Sequence, residues 1–270
     1  MITNRAYAVE PWTVRETRLE LDFLAQSESV FALSNGHVGW RGNLDEGEPH
    51  GLPGSYLGGV FETHPLPYAE AGYGYPESGQ TVINVTNGKV LRLLVDDEPF
   101  DLRYGRLISH ERVLDLRRGV LERTCEWTSP AGSTVRVRST RMVSLTQRAI
   151  AAVAYEVEAV GSRSRVVIQS ELVTNESLPG PNGDPRASQV LKSPLEAEED
   201  VAVGHRLRLV HRTRRSGLRV AVVCATGDSG PGRTTAASES NVGVARLSVT
   251  PVPEPLERLR GDKQGAPGWS

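Results

Sequence analysis

Three groups of carboxylates in this 270-residue chain are spaced so that two acids could share one site: Asp45 and Glu46 with Glu48, the run Asp96-Asp97-Glu98, and Glu171 with Glu176. Two carboxyls in one site can divide general-acid and general-base work, because each environment sets its own proton affinity. Plainer roles are open to each group. Asp96-Asp97-Glu98-Pro99 has the composition of a hairpin turn with solvated charges. Glu171 and Glu176 flank Asn175 where a strand runs into a long loop, and a surface role is expected for both.

Other chemistries lack their spacing. His37, His50, His64, His110, His205 and His211 form neither His-x-x-x-His nor any other ligand pattern, and Cys-x-x-Cys is absent, so no metal site is expected. No Gly-x-x-x-x-Gly-Lys-Ser/Thr loop and no Gly-x-Ser-x-Gly elbow occurs. Gly36, Gly39 and Gly42 recur every three residues but open no helix of a βαβ unit, which argues against a dinucleotide site. No catalytic residue and no cofactor is assigned.

Those three glycines, with Glu28, Asn35, His37, Trp40 and Arg41, lie in the stretch around which the chain is organised, residues 28–42. Glycine tolerates positive φ and close backbone approach, so a sharply folded segment is expected here. Arg41 lies inside it, where a planar guanidinium can tie several carbonyls, or a carboxylate such as Glu28, together.

The elements around this stretch read as strands. Residues 8–24 alternate Trp12, Val14, Leu19, Leu21 and Phe23 with polar neighbours, the period of a half-buried strand leading straight into the glycine run. Asn87-Gly88 is a hairpin signal between strands at 82–86 and 89–95. In later strands Leu121, Cys125 and Trp127 share a face, as do Val153, Tyr155 and Val157, while Val135 and Val137 alternate with Arg136 and Arg138. Arg136 and Arg138 read as the wet face of an outer sheet, with docking to a neighbouring domain as the alternative. Residues 63–80, with Tyr68, Tyr73 and Tyr75, form a Pro/Gly-rich loop carrying aromatics. The best helix candidate, 194–200, is short and charged. Residues 1–250 are expected as one large antiparallel β-sandwich, all-β in class, and the proline-rich 251–270 as the start of a linker.

Composition excludes several partners. Acidic and basic residues number 33 and 31, so nothing in the whole-chain charge calls for nucleic acid or an anionic membrane. Only Cys125 and Cys224 are present, each in an apolar strand, which suits free thiols in a reducing compartment. No apolar run approaches the ~20 residues of a membrane span, and a soluble cytoplasmic protein is expected.

The stretch Glu28-Ser29-Val30-Phe31-Ala32-Leu33-Ser34-Asn35-Gly36-His37-Val38-Gly39-Trp40-Arg41-Gly42 resembles the N-terminal signature of glycoside hydrolase family 65, the maltose, trehalose and kojibiose phosphorylases and related disaccharide hydrolases. The blocks at 53–62, 114–121 and 138–145 resemble that family's following segments in the same order. His37 stands where tyrosine is usual, and Trp40 where a smaller residue is common. The resemblance implies a super-sandwich of galactose-mutarotase type joined through a helical linker to an (α/α)6 barrel that carries the catalytic glutamate and the phosphate site. Neither has a counterpart in these residues, so the chain is expected to be a non-catalytic support and docking domain for that barrel. The intact protein would then take an α-glucoside and phosphate and could dimerise. His37, Trp40, Tyr68, Tyr73 and Tyr75 are the candidates to reach the sugar pocket or the barrel. Two readings compete: a free-standing sugar-binding sandwich, and an aldose-epimerase-like sandwich, which would need paired histidines and a carboxylate in one groove.

Overall fold

The alternation along the chain is realised as antiparallel strands. The computed structural model describes residues 7–66, 74, 76–161, 164–177, 192–229, 234–251 and 258–269. Strands β1 (Tyr7–Glu10) and β2 (Thr13–Glu16) form a hairpin, and a 3-10 turn at Leu21–Phe23 runs into helix α1 (Leu24–Val30). Then come β3 (Leu33–Ser34), β4 (Val38–Trp40), β5 (Ser55–Leu57), β6 (Phe61–Pro65) and β7 (Ser78–Val82). Next are β8 (Asn87–Val95), β9 (Glu98–Pro99), β10 (Arg106–Asp115), β11 (Val120–Thr128), β12 (Thr134–Val143) and β13 (Ala151–Val160). The chain continues through β14 (Val166–Val173), β15 (Leu195–Val203), β16 (Arg206–Thr213) and β17 (Arg219–Ser229). It finishes with β18 (Thr234–Asn241), β19 (Val244–Pro251) and β20 (Arg258–Trp269).

A ten-stranded sheet in the order β1-β2-β10-β11-β12-β13-β20-β17-β16-β15 packs against a five-stranded sheet, β18-β19-β14-β8-β9, with two small sheets, β3-β4-β5 and β6-β7, beside them. The inward faces make the core: Cys125, Trp127, Val135, Val137, Val153 and Tyr155 from the large sheet meet Leu91, Leu93 and Ile168 from the smaller one. A second cluster, with Leu172, Leu207, Leu209, Val222 and Leu247, fills the far end. This is the layered antiparallel sandwich expected from the period-two pattern.

Several local expectations are corrected. Residues 8–24 are a hairpin, a 3-10 turn and the start of a helix rather than one strand, and Leu21 and Phe23 face outward. Asn87-Gly88 makes no hairpin. The Asn87 amide oxygen instead accepts from Lys89 N and Nζ, and Gly88 packs near Leu172 and Trp40, so β8 runs straight through. Residues 195–203, the best of the weak helix candidates, are an edge strand, with Glu199 paired to Arg208 on the adjacent β16 and Glu198 to Arg219 on β17. Glu171 is buried, not superficial, held by Arg92 Nε at 2.8 Å and Arg246 Nε at 2.7 Å from the strands on either side.

The largest correction concerns 251–270. Residues 258–269 are no linker but β20, which fills the slot between β13 and β17, with Lys263 inserting to donate to Val90 O and Glu171 O. Proline and glycine suggested a spacer, yet a sheet needs only backbone partners from a strand that already has two neighbours. The 96–99 expectation holds: Asp96 (φ 51°) and Asp97 (φ 68°) form the tight turn joining β8 and β9.

One buried cluster ties β2, α1 and β10 together and carries a pH dependence. Glu16 accepts from Arg112 Nε at 2.6 Å and Ser27 Oγ at 2.9 Å, and lies 3.0 Å from His110 Nε2. Burial alone would raise its pKa. The hydrogen bond from His110 and the charge of Arg112 outweigh that and hold Glu16 at about 2. A carboxylate depressed on folding contributes stability above its unfolded value of roughly 4.3, and that contribution is lost as pH falls through the folded value. Chemical denaturation from pH 6 down to pH 2 is expected to show a loss on the order of 3 kcal/mol from this group, and Glu16→Gln should flatten that slope.

Candidate functional site

The glycine-rich stretch is the end of α1 followed by the tight β3–β4 hairpin, a turn pinned from three sides. Asn35 starts the turn: its Oδ1 accepts from the amides of His37 (2.9 Å) and Val38 (2.8 Å), and Gly36 sits at φ +84°, where residues with a Cβ are strained. The other end of the same amide donates to Ser144 O at 2.6 Å and Arg148 O at 2.9 Å. Asn35 therefore clips the turn to the connection between β12 and β13. His37 lies beside it, half-buried, with Nδ1 3.5 Å from Arg148 Nη2.

Glu28 is the second pin. Its buried carboxylate accepts from the amides of Gly51 (2.8 Å) and Leu52 (3.0 Å) and from Arg41 Nη2 (3.4 Å). Arg41 also donates to Ala25 O at 2.6 Å, so the guanidinium does tie a carbonyl and Glu28 together. Gly54 and Gly51 are the complementary surfaces: a Cβ on Gly54 would fall 2.0 Å from Arg41 Cδ, and one on Gly51 2.6 Å from Ala25 Cα. Neither glycine stood out in the sequence, because their role is close approach and leaves no dipeptide signal.

The third pin comes from the large sheet. Arg112 Nη1 donates to Gly42 O at 2.9 Å while its guanidinium stacks 4.7 Å from the Phe31 ring centre, and Arg141 Nη1 donates to Arg41 O at 3.3 Å. Gly42 is pressed onto Phe31, whereas Gly39 is an ordinary residue of β4 with space for a side chain. Trp40, a candidate for sugar or barrel contact, is corrected: its indole is in the apolar core, where it has no face to offer a ligand. Tyr68, Tyr73 and Tyr75 lie outside the described residues.

Beyond Gly42 the chain dives between the sheets and delivers Asp45 and Glu46 to a buried ionic network. Asp45 accepts from Arg141 Nη2 at 2.5 Å and Ser139 Oγ at 2.6 Å; Glu46 accepts from Arg123 Nη1 at 2.8 Å and Tyr155 OH at 2.6 Å. Burial pushes the Asp45 carboxyl up, but the charges of Arg141 and Arg123 outweigh it and hold its pKa below the ordinary carboxylate value. Both acids thus have a cationic and a hydroxyl donor seated on them inside the sandwich. Burial raises the Cys125 thiol to about 12, which makes it inert. Arg136 and Arg138 sit on the outer face, paired with Glu126 and Glu158, as expected; the inward guanidiniums of Arg112, Arg123 and Arg141 were not anticipated.

Two openings lie near these residues. One is a groove of about 300 Å³ lined by Glu48, Arg92, Pro99, Asp101, Arg103 and Gln169 among others. The other is a narrow cavity beside Asn43, Lys89 and Glu176. Burial lowers the Lys89 ammonium to about 7. No cluster of three or more His, Cys, Asp or Glu side chains able to hold a metal occurs among the described residues. Around the pinned loop several apolar side chains are exposed among polar ones: Leu21, Phe23 and Leu52 beside α1, and Leu145 and Ile150, with Thr146, Gln147 and Arg148 between them, on the connection that Asn35 clips.

Comparison with known proteins places these features in a lineage. Residues 14–263 match the sequence model described as glycosyl hydrolase family 65, N-terminal domain. An uncharacterised glycosyl hydrolase of Mycobacterium tuberculosis is 57% identical over all 270 residues, which are 34% of its length. The alpha,alpha-trehalose phosphorylase of Thermoanaerobacter brockii is 34% identical over 220 residues, 80% of this chain and 28% of that protein. A solved structure bearing the name of a kojibiose phosphorylase from human microbiome superposes with a TM-score of 0.84 at 20% identity, over 98% of this chain and 33% of its own. The chain thus spans about a third of the length of these relatives.

Proposed function

This chain belongs to glycosyl hydrolase family 65 as its N-terminal domain, and from that premise we propose that it is a non-catalytic support whose pinned glycine loop presents a docking face to an (α/α)6 catalytic barrel of the same protein. The intact protein would act on an α-linked glucose disaccharide with phosphate or water, in the cytoplasm, where the buried free thiols of Cys125 and Cys224 stay reduced. A dimer of that protein belongs to the same proposal.

The observation that carries this reading is how the signature residues are used. Glu28, Asn35, Arg41 and Gly42 direct most of their polar groups inside the stretch and onto its neighbours; Arg41 Nε alone of these is buried without a partner. They fix a rigid surface edged by Leu21, Phe23, Leu52, Leu145 and Ile150. Exposed apolar side chains on a rigid loop suit an interdomain contact.

Two results test it. The 270-residue chain, given trehalose, maltose or kojibiose with and without phosphate, is expected to release neither glucose nor glucose phosphate; release would overturn the reading. Phe23→Asp and Leu145→Asp should each leave the stability of this chain within about 0.5 kcal/mol, as exposed substitutions do. In the longer protein both should lower the melting temperature and activity. Unchanged activity with both would move the docking face elsewhere.

A second reading, a sugar-binding sandwich acting alone, is favoured by the 300 Å³ groove, whose acids, guanidiniums and carboxamide offer both acceptors and donors to a polyol. Arg103 there is already paired with Asp101 at 2.6 Å and with Glu48 at 3.4 Å. Millimolar or tighter binding of maltose or trehalose by this chain would support that second reading.

A further inference from the structure

We propose that β20 is a releasable strand, which leaves and re-enters the slot between β13 and β17 while both apolar clusters of the sandwich stay formed. It is paired on both sides, with residues 151–158 of β13 and with residues 220–229 of β17. A strand between two ladders is ordinarily among the last parts of a sheet to open. The face β20 turns inward argues the opposite. Its buried positions Gly261, Lys263 and Gly265 give no side chain to either apolar cluster, whereas β13 gives Val153, Tyr155 and Val157, and β17 gives Val220, Val222 and Cys224.

Along 260–265 the strand is therefore held mainly by backbone bonds. Glycine has no apolar area to bury and loses the most conformational freedom on ordering. Close packing does not demand it here: a Cβ at Gly261 would come no nearer than 3.9 Å to Ile168 Cδ1, and one at Gly265 no nearer than 3.8 Å to Val223 O. Lys263 carries an ammonium inside, where it donates to Val90 O at 3.1 Å and Glu171 O at 2.6 Å, and burial lowers its pKa. Release returns that charge to water. On the outer face Arg260 lies 3.6 Å from Glu156 of β13, an exposed pair of small worth. With β20 out, the large sheet divides into β1-β2-β10-β11-β12-β13 and β17-β16-β15. The first part keeps its packing on Leu91, Leu93 and Ile168, and the second keeps Leu207, Leu209 and Val222 on Leu172 and Leu247. Opening therefore uncovers two strand edges without dissolving either cluster.

Native-state hydrogen exchange of the 270-residue chain, followed at several low urea concentrations, tests this. Amides of β20 are expected to exchange at least about tenfold faster than those of β11 and β12, and with a weaker dependence on urea, as a local opening does. Gly261→Ala and Gly265→Ala should each slow the β20 amides by about two- to fivefold, since both sites have room for a methyl group and the change restricts the released strand. Exchange of β20 together with β11 and β12, at one rate and one urea dependence, would overturn the proposal. So would faster β20 exchange in both alanine variants, because the glycines would then be required for a tightly seated strand. The unsubstituted chain decides the matter if either variant does not fold.

Discussion

Asp45→Ala is expected to lower the stability of this chain by about 3–5 kcal/mol, the usual cost of removing one partner from a buried ion pair. Asp45 is enclosed, and with Glu46 it balances the two guanidiniums of Arg123 and Arg141 inside the sandwich. Removing it leaves two cations against one anion, and none of the side chains around them can turn outward, because β11 and β12 hold both arginines on the inner face. Ser139→Ala, which removes only a hydroxyl donor to the same carboxylate, should cost about 1 kcal/mol. Urea unfolding of the two variants measures the ratio. A loss under 1 kcal/mol for Asp45→Ala would mean that water reaches the network and the charges are not confined.

The second large effect is expected at Gly42. A Cβ there would lie 2.6 Å from Phe31 Cβ, 2.7 Å from Phe31 O and 2.9 Å from Phe31 C, so backbone rather than a mobile side-chain tip is in the way. The loop cannot retreat without giving up Gly42 N to Glu28 O (2.8 Å) and Arg112 Nη1 to Gly42 O (2.9 Å). Overpacking and two lost hydrogen bonds together put Gly42→Ala at about 3 kcal/mol or more. The three signature glycines should separate cleanly. Gly36→Ala meets open space but keeps a left-handed backbone, for about 1–2 kcal/mol, whereas Gly39→Ala in β4 should be nearly neutral. Thermal melts of the three variants check the order, and equal losses would mean that the loop deforms as a unit.

How much of this was legible beforehand depends on whether a residue's role is local or remote. Strand periodicity showed the inner faces of β11, β12 and β13, because burial in a sheet alternates with the side chains. Arg41 inside a glycine run pointed to a tie between carbonyls and Glu28, and the structure has that tie. Three kinds of feature stayed hidden. Arg112, Arg123 and Arg141 look like Arg136 in sequence, and only the register that places them opposite Asp45, Glu46 and Gly42 makes them interior. Asn87-Gly88 carries a turn signal, but its amide is used by Lys89. Residues 258–269 carry linker composition, yet a vacant position between two strands decides their state through backbone hydrogen bonds, to which composition is nearly blind. At the candidate site the glycines at 36 and 42 were readable, and those at 51 and 54, which act by letting Ala25 and Arg41 come close, were not.

Hydrogen exchange on this chain alone and within the longer family 65 protein tests most directly whether the pinned loop is a docking face. Amides at 21–25, 33–38, 50–52 and 144–150 should exchange more slowly in the longer protein, while the outer face of β15, β16 and β18 exchanges at the same rate in both. Equal exchange at the loop with new protection on that outer face would contradict the proposal and place the contact at the opposite edge of the sandwich.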